Sequence, residues 1–251
     1  MHLTKLIAYT RDTRDMSELR IYMRKIIMVN GKKRSGKDYT SDMFVDKGFI
    51  KLSIAMGLKD RACKIAGIDF DTMEELKNEE LSFEADDGFK ERFKDSLYLM
   101  NNDIYNSDDS EHRIDILNVG SIPFWNSDGT VDARKFLQNM NVFKDVFKDD
   151  NIWINLLIHE IKVHHKGDII IADFRFPNEH TSMVEAFGKI TTMKVIGKNY
   201  YDVDKYDNHS SETSLNDWKF DYHFNNTIWH SGVVFWQVQG LLQTLDIEEG
   251  K

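Results

Sequence analysis

Apolar positions along this chain fall into two rhythms. Compact runs rich in β-branched residues predict short strands at Ile26-Ile27-Met28-Val29, at Phe49-Ile50-Lys51-Leu52 and at Ile190 to Ile196. The run Asp168-Ile169-Ile170-Ile171-Ala172-Asp173 is the most strand-like, and its unbroken apolar character fits a central parallel strand covered on both faces. Tyr222-His223-Phe224-Asn225-Asn226 reads as a short last strand and turn. Between these runs the rhythm changes to the helical one. Helices are predicted from about 36 to 47, closed by Gly48, from about 56 to 65, from 152 to 163 with Ile154, Leu157, Ile158 and Ile161 inward, and from 233 to 245. Asp132 can cap a further helix whose apolar face is Ala133, Phe136, Leu137 and Met140. Strands alternating with helices predict an α/β fold, a doubly wound parallel sheet with ligands at the carboxyl ends of its strands.

Two stretches fall outside this rhythm. Residues 1–22 are polar with alternating charge, and read either as an extension with Met23 as an alternative start or as an ordinary helix over Met16 to Met23. Residues 23–251 then form a single domain. Within it, residues 69–121 are acidic and polar, with Asn101-Asn102-Asp103 and Ser107-Asp108-Asp109-Ser110 as loop signals, and read as an insertion on the substrate side or as solvated surface.

Composition narrows the class. A hydrophobic fraction of 41% and a charged fraction of 30% over 251 residues suit a soluble globular enzyme. The net charge of -9 argues against a general nucleic-acid binder, while leaving room for a local cluster of cations around an anion. The one cysteine, Cys63, excludes an internal disulfide and reads as a buried small hydrophobe. Neither a membrane-length apolar run nor a secretory stretch is evident, so the expectation is a cytoplasmic protein without a membrane partner. Whether it forms a homodimer stays open.

The chemistry concentrates directly behind the first strand. Gly31-Lys32-Lys33-Arg34-Ser35-Gly36-Lys37-Asp38 has the strand, glycine loop and helix order of a P-loop, in which backbone N–H groups and one lysine cradle a chain of phosphates. Gly31 and Gly36 permit the backbone conformations this needs, and Lys37 would reach the β and γ phosphates. Serine or threonine normally follows that lysine as a Mg²⁺ ligand. Asp38 stands there instead, still an oxygen ligand, or else a group that orients a phosphate or a lysine. Lys33 and Arg34 either are surface charges or lie where donor and acceptor phosphates meet.

Asp173, at the end of the strongest strand and on the same sheet edge as the loop, suits contact with the waters around Mg²⁺ or with the acceptor, and Arg175 could reach the transferring phosphate; alternatively they are a helix cap and an exposed arginine. Arg134 and Gln138, four apart on the helix that also carries Lys135, share one face and either present a cation and an amide to one ligand or are solvated surface. Trp153 reads more readily as core than as a platform for a base. His159, His164 and His165 lack the i, i+4 spacing of a zinc motif, and Asn126-Ser127-Asp128-Gly129 reads as a turn because Phe124 stands where a calcium loop needs its first acid.

The loop from Gly31 to Asp42, including the aspartate after the lysine, resembles the P-loop of bacteriophage deoxynucleoside monophosphate kinases. The likeness continues through Ala55-Met56-Gly57-Leu58-Lys59-Asp60, Arg134-Lys135-Phe136-Leu137-Gln138, Ile152-Trp153, Asp173-Phe174-Arg175 and Asn208-His209-Ser210-Ser211-Glu212, spanning roughly residues 24 to 246. The resemblance implies a P-loop nucleoside monophosphate kinase fold with helical lid segments. It implies transfer of the ATP γ-phosphate to a deoxynucleoside 5′-monophosphate with Mg²⁺, in a host cytoplasm if the chain is phage-encoded. By the same carry-over, Gly31, Lys33, Arg34, Ser35, Gly36, Lys37, Asp38 and Tyr39 belong to the phosphate site. Lys33, Lys59, Arg134, Lys135, Gln138, Trp153 and Asp173 would serve the acceptor, and Arg175 the transfer zone. His209 and Glu212 would lie at the donor edge or in a turn. Lys135 replaces an arginine and loses bidentate phosphate geometry. Two rivals remain: animal-type phosphomevalonate kinase, which shares the Arg/Lys-Ser-Gly-Lys-Asp loop and the Asp-x-Arg strand end, and a P-loop module that binds ATP without transferring phosphate.

Overall fold

The structure is a computed structural model that describes residues 24–105, 128–197, 213–227 and 231–249. Strand β1 (Ile26–Asn30) is buried along its length, and its two faces separate by the strand period. Ile27 and Val29 join a cluster with Phe44, Phe49, Ile170, Met193, Val195 and Phe224, closed by Val234, Val238, Leu241 and Leu245. The last four recur at helical spacing on the final helix, which runs over Ser231–Glu249.

Five strands form one parallel sheet. Beside β1 these are β2 (Ile50–Leu52), β5 (Ile169–Ile171), β6 (Thr191–Gly197) and β7 (Tyr222–Asn226), in the order β2-β5-β1-β6-β7. The alternation of strands and helices therefore yields the α/β architecture with a parallel sheet. The triple isoleucine of β5 is fully buried and interior as its composition predicts, while β1 takes the middle place. The chain leaves β1 towards the β2 edge, returns through β5, and then crosses to β6 on the other side. That reversal puts the loop after β1 at a topological switch point, where parallel sheets open a crevice beyond their carboxyl ends.

The chain divides into two compact units, Met1–Ser53 with Glu160–Lys251, and Ile54–His159. The first holds the sheet, helix α1 (Lys37–Val45) after the glycine loop, and, later in the chain than β5, helix α8 (Pro177–Phe187) and the terminal helix α9. The second holds α2 (Ile54–Ala66), α3 (Phe70–Asn78), α4 (Phe89–Tyr105), α5 (Ala133–Asn139) and α6 (Val142–Phe147), with the antiparallel pair β3 (Ser82–Glu84) and β4 (Thr130–Asp132). Helix α7 (Ile152–His164) contributes to both.

The acidic stretch after residue 69 carries regular structure in the second unit. Met73, Phe83, Phe89, Phe93, Leu97 and Met100 are buried. The last four sit at i, i+4, i+8 and i+11 on α4, one apolar stripe hidden among polar residues. Asn101-Asn102-Asp103, which read as a loop, lie within that helix. Residues 106–121 of the stretch, like residues 1–22, are outside the described residues. Asp128 accepts from the N–H of Thr130 at 3.0 Å next to Gly129 at φ 85, which makes the turn before β4. Asp132 caps α5 as expected, accepting from the N–H of Lys135 at 2.8 Å. Among the described residues no helix is long and apolar enough to cross a membrane.

Candidate functional site

The loop between β1 and α1 is shaped by the two strands beyond β1. Gly36, the N-cap of α1, has φ 86, a left-handed conformation that glycine adopts without cost, and it offers no side chain to the first-turn amides. Those amides have no intrahelical acceptor and carry the positive end of the helix dipole. Arg34, at the loop tip, is also left-handed, with φ 65. The expected freedom of Gly31 is a matter of space: a Cβ there would stand 2.9 Å from the carbonyl oxygen of Val195 in β6. At Gly197, the end of β6, a Cβ would collide with the backbone of Ser35. From the end of β7, Asn226 donates its side-chain amide to the carbonyl oxygen of Ser35 at 3.0 Å. Ser35 is buried, and its hydroxyl has no hydrogen-bond partner among the described residues.

The charged groups of the loop are sorted by exposure. Lys33, Arg34, Asp38 and Tyr39 are exposed, whereas Lys37 is mostly covered. Lys37 reaches Asp38 at 3.4 Å. Lys51, the middle residue of β2, stands 4.0 Å from Asp38 and donates to Asp42 at 2.8 Å. The Asp38 carboxylate is thus flanked by two ammonium groups while its side chain remains 67% exposed. The hydroxyls of Thr40 and Ser41 turn back to the carbonyl oxygens of Gly36 and Lys37, at 3.0 and 2.8 Å. Asp38 therefore presents its carboxylate outward from the first turn of α1, as Asp42 does one turn on. No group of three or more His, Cys, Asp or Glu side chains converges to hold a metal among the described residues. An outward carboxylate at the head of α1 suits Mg²⁺, which binds through one or two carboxylates while keeping water and substrate oxygens as its other ligands.

The Asp173-Phe174-Arg175 turn after β5 is held at every residue. Ser53, just after β2, donates its hydroxyl to Asp173 at 2.7 Å. Asn30, at the end of β1, donates to the carbonyl oxygen of Phe174 at 2.8 Å, and the N–H of Phe174 donates to Val29 at 3.0 Å. Glu179, in the first turn of α8, accepts from the N–H groups of Arg175 and Phe176 at 2.7 and 3.0 Å. Burial pushes the Glu179 carboxyl up to about 7, aided by Asp173, against the pull of those two N–H groups and Arg175. Asp173 and Arg175 are half-buried at the same sheet edge as the glycine loop, as their place in the sequence predicts.

On the second unit the predicted residues distribute unevenly. Lys59 of α2 pairs with Glu74 of α3 at 2.7 Å. Arg134 of α5 donates to the carbonyl oxygen of Lys77 at 2.9 Å. Lys135 and Gln138 are exposed, and Lys135 stands 3.8 Å from its own N-cap, Asp132. Trp153 is 6% exposed and packs on Phe143 with ring centroids 5.6 Å apart. Cys63 is buried, and burial first, then Asp60, Asp69 and Glu74, push its thiol up against the opposing effect of Lys59. His209 and Glu212 lie outside the described residues.

Several residues of these constellations carry no local sequence signal. Gly197, Ser53, Asn30 and Lys51 are brought in by strand order and helix packing; Asn226 reads in sequence only as a strand end. One signal was available: Pro177 followed by Glu179 is the pattern of a helix start whose third residue reaches back to backbone amides. No protein-family model matches this chain, and a comparison with curated proteins finds no match.

Proposed function

We propose that this chain transfers the γ-phosphate of ATP to a deoxynucleoside 5′-monophosphate, in the manner of the bacteriophage kinases its loop resembles. The observation that carries the reading is the loop of residues 31–38. It lies at the switch point of a parallel sheet, leads into the uncapped N-terminus of α1, and is braced by Gly197 and Asn226. First-turn amides and Lys37 supply the donors that a triphosphate needs.

In this reading the ATP phosphates lie along the loop, with Lys37 on the β and γ oxygens. Lys33 and Arg34, exposed at the tip, neutralise charge that develops on the transferring group. Asp38 is the residue that would hold Mg²⁺, with Asp173 as a second carboxylate, and the ion would supply neutralisation of the phosphate charge. Ser53 and Glu179 keep Asp173 and the Arg175 backbone in fixed positions. Lys59 and Arg134 serve the acceptor, while Trp153, 6% exposed and packed on Phe143, belongs to the core of the second unit. Little covalent chemistry is asked of the protein, because positioning and electrostatics dominate phosphoryl transfer.

The test is incubation with ATP, Mg²⁺ and a panel of deoxynucleoside monophosphates, ribonucleoside monophosphates and phosphomevalonate. The reading expects ADP together with a deoxynucleoside diphosphate. Phosphorylated phosphomevalonate, or ATP binding without any phosphorylated acceptor, would each replace it.

A further inference from the structure

In the second unit, lysines from two helices converge on one carboxylate, and a third helix sends a guanidinium to the backbone of the same turn. Glu74 of α3 takes Lys59 of α2 at 2.7 Å on one oxygen and Lys77, three residues further along α3, on the other. Arg134 of α5 is anchored to the same turn through the carbonyl oxygen of Lys77, with Nε 4.0 Å from Glu80. Lys59 also lies 5.3 Å from the ring centre of Phe70, which limits its reach to this side of α2. Lys59, Glu74 and Lys77 are each about a quarter exposed, so the cluster is neither a solvated surface pair nor a core ion pair. Burial works against the charge of Glu74, and hydrogen bonds from both lysines outweigh it and keep the carboxylate ionised.

Two ammonium groups drawn to one site repel each other unless an anion lies between them. A carboxylate supplies one negative charge and two oxygens. A phosphomonoester supplies up to two charges and three terminal oxygens, enough for both lysines and for a guanidinium at the margin. Resting on the acceptor reading of Lys59 and Arg134, we propose that Lys59, Lys77 and Arg134 form a phosphomonoester site that Glu74 fills in the empty protein. Lys77 is then a binding residue, and Glu74 is a built-in competitor that must leave before phosphate enters. Occupation by Glu74 keeps the two lysines aligned in the absence of substrate and lowers the apparent affinity by the fraction of time the seat is taken.

The test uses the full chain carrying Lys37→Ala, so that phosphate held by the glycine loop does not obscure the second unit. Inorganic phosphate, and separately deoxythymidine 5′-monophosphate, are titrated by calorimetry. Adding Glu74→Gln should tighten binding roughly tenfold, and adding Lys77→Ala to that pair should remove the gain, while Lys77→Arg restores it. Glu74→Asp, which keeps the competing charge, should stay near the parent, and Glu74→Ser offers a second route should the glutamine variant misfold. A gain with both ligands assigns recognition to the phosphate group, and a gain with the nucleotide alone assigns it to a mononucleotide; either supports the site. Unchanged or weaker binding on loss of the Glu74 charge, or a gain that survives Lys77→Ala, would overturn it. With Lys37 intact, turnover on the acceptor panel reports the kinase reading separately. Turnover without the affinity gain defeats the anion site alone, and the gain without turnover defeats the kinase reading alone.

Discussion

The side-chain amide of Asn226, the last residue of β7, donates to the carbonyl oxygen of Ser35 in the glycine loop at 3.0 Å. The two residues are 191 positions apart in the chain. The loop that holds phosphate in this account is therefore held in turn by the far end of the sheet.

Asn226→Ala should leave the buried Ser35 carbonyl without this donor and cost about 1–3 kcal/mol of stability. With the loop backbone as the proposed phosphate receptor, ATP affinity should fall by roughly tenfold, with Asn226→Asp behaving alike since it also lacks the donor. Urea unfolding and equilibrium ATP binding check the two halves. Undiminished affinity would show that the loop keeps its shape by itself.

Gly197→Ala places a methyl group against the backbone of Ser35, where neither side can yield cheaply. It should destabilise by about 1–3 kcal/mol and weaken ATP binding in parallel. Gly240→Ala is the matched control. That glycine lies within α9 with nothing near its missing Cβ, so alanine should stabilise by about 0.5–1 kcal/mol and leave binding alone. Opposite shifts in the urea midpoint are the expected readout.

Glu179 makes stability fall as pH rises. Its carboxyl stands at about 7 in the folded chain against an ordinary value of 4.5, so the folded state binds the proton more tightly than the unfolded one. The favourable contribution is complete below about pH 4.5 and is lost as pH rises through about 7, a change of up to a few kcal/mol. Glu179→Gln keeps an acceptor for the Arg175 and Phe176 amides without a titrating group. The wild-type minus variant difference in unfolding free energy should therefore slope downward between pH 5 and about 7.5. A flat difference would mean that the buried carboxylate is fully compensated.

Lys37→Ala should reduce turnover by roughly 10³-fold or more while leaving the unfolding transition close to that of the parent. Its ammonium group makes a long contact to Asp38, at 3.4 Å, so little stability rests on that charge. Near-normal turnover would remove the loop from the chemistry.

How far these features could be read in advance depends on whether their cause is local. The glycine loop, the triple isoleucine of β5 and the Asp132 cap are contiguous patterns, and each forms where its residues predict. Strand order is non-local, so β1 rather than β5 takes the middle of the sheet. The helices at 70–78 and 89–105 were obscured because their apolar stripes are diluted by charge, and a polar triplet at 101–103 continues a helix instead of ending it. Site residues followed the same rule. Lys37 and Asp38 are legible beside the loop, whereas Asn226, Gly197, Ser53 and Lys77 acquire their roles only through partners distant in sequence or one helical turn away.

The most direct measurement is product analysis after incubation of the full chain with ATP, Mg²⁺ and each deoxynucleoside 5′-monophosphate, alongside Lys37→Ala. The account predicts equal amounts of ADP and a deoxynucleoside diphosphate for at least one acceptor, and neither product with the variant. ADP formed without a phosphorylated nucleotide, or products unchanged by Lys37→Ala, would contradict it.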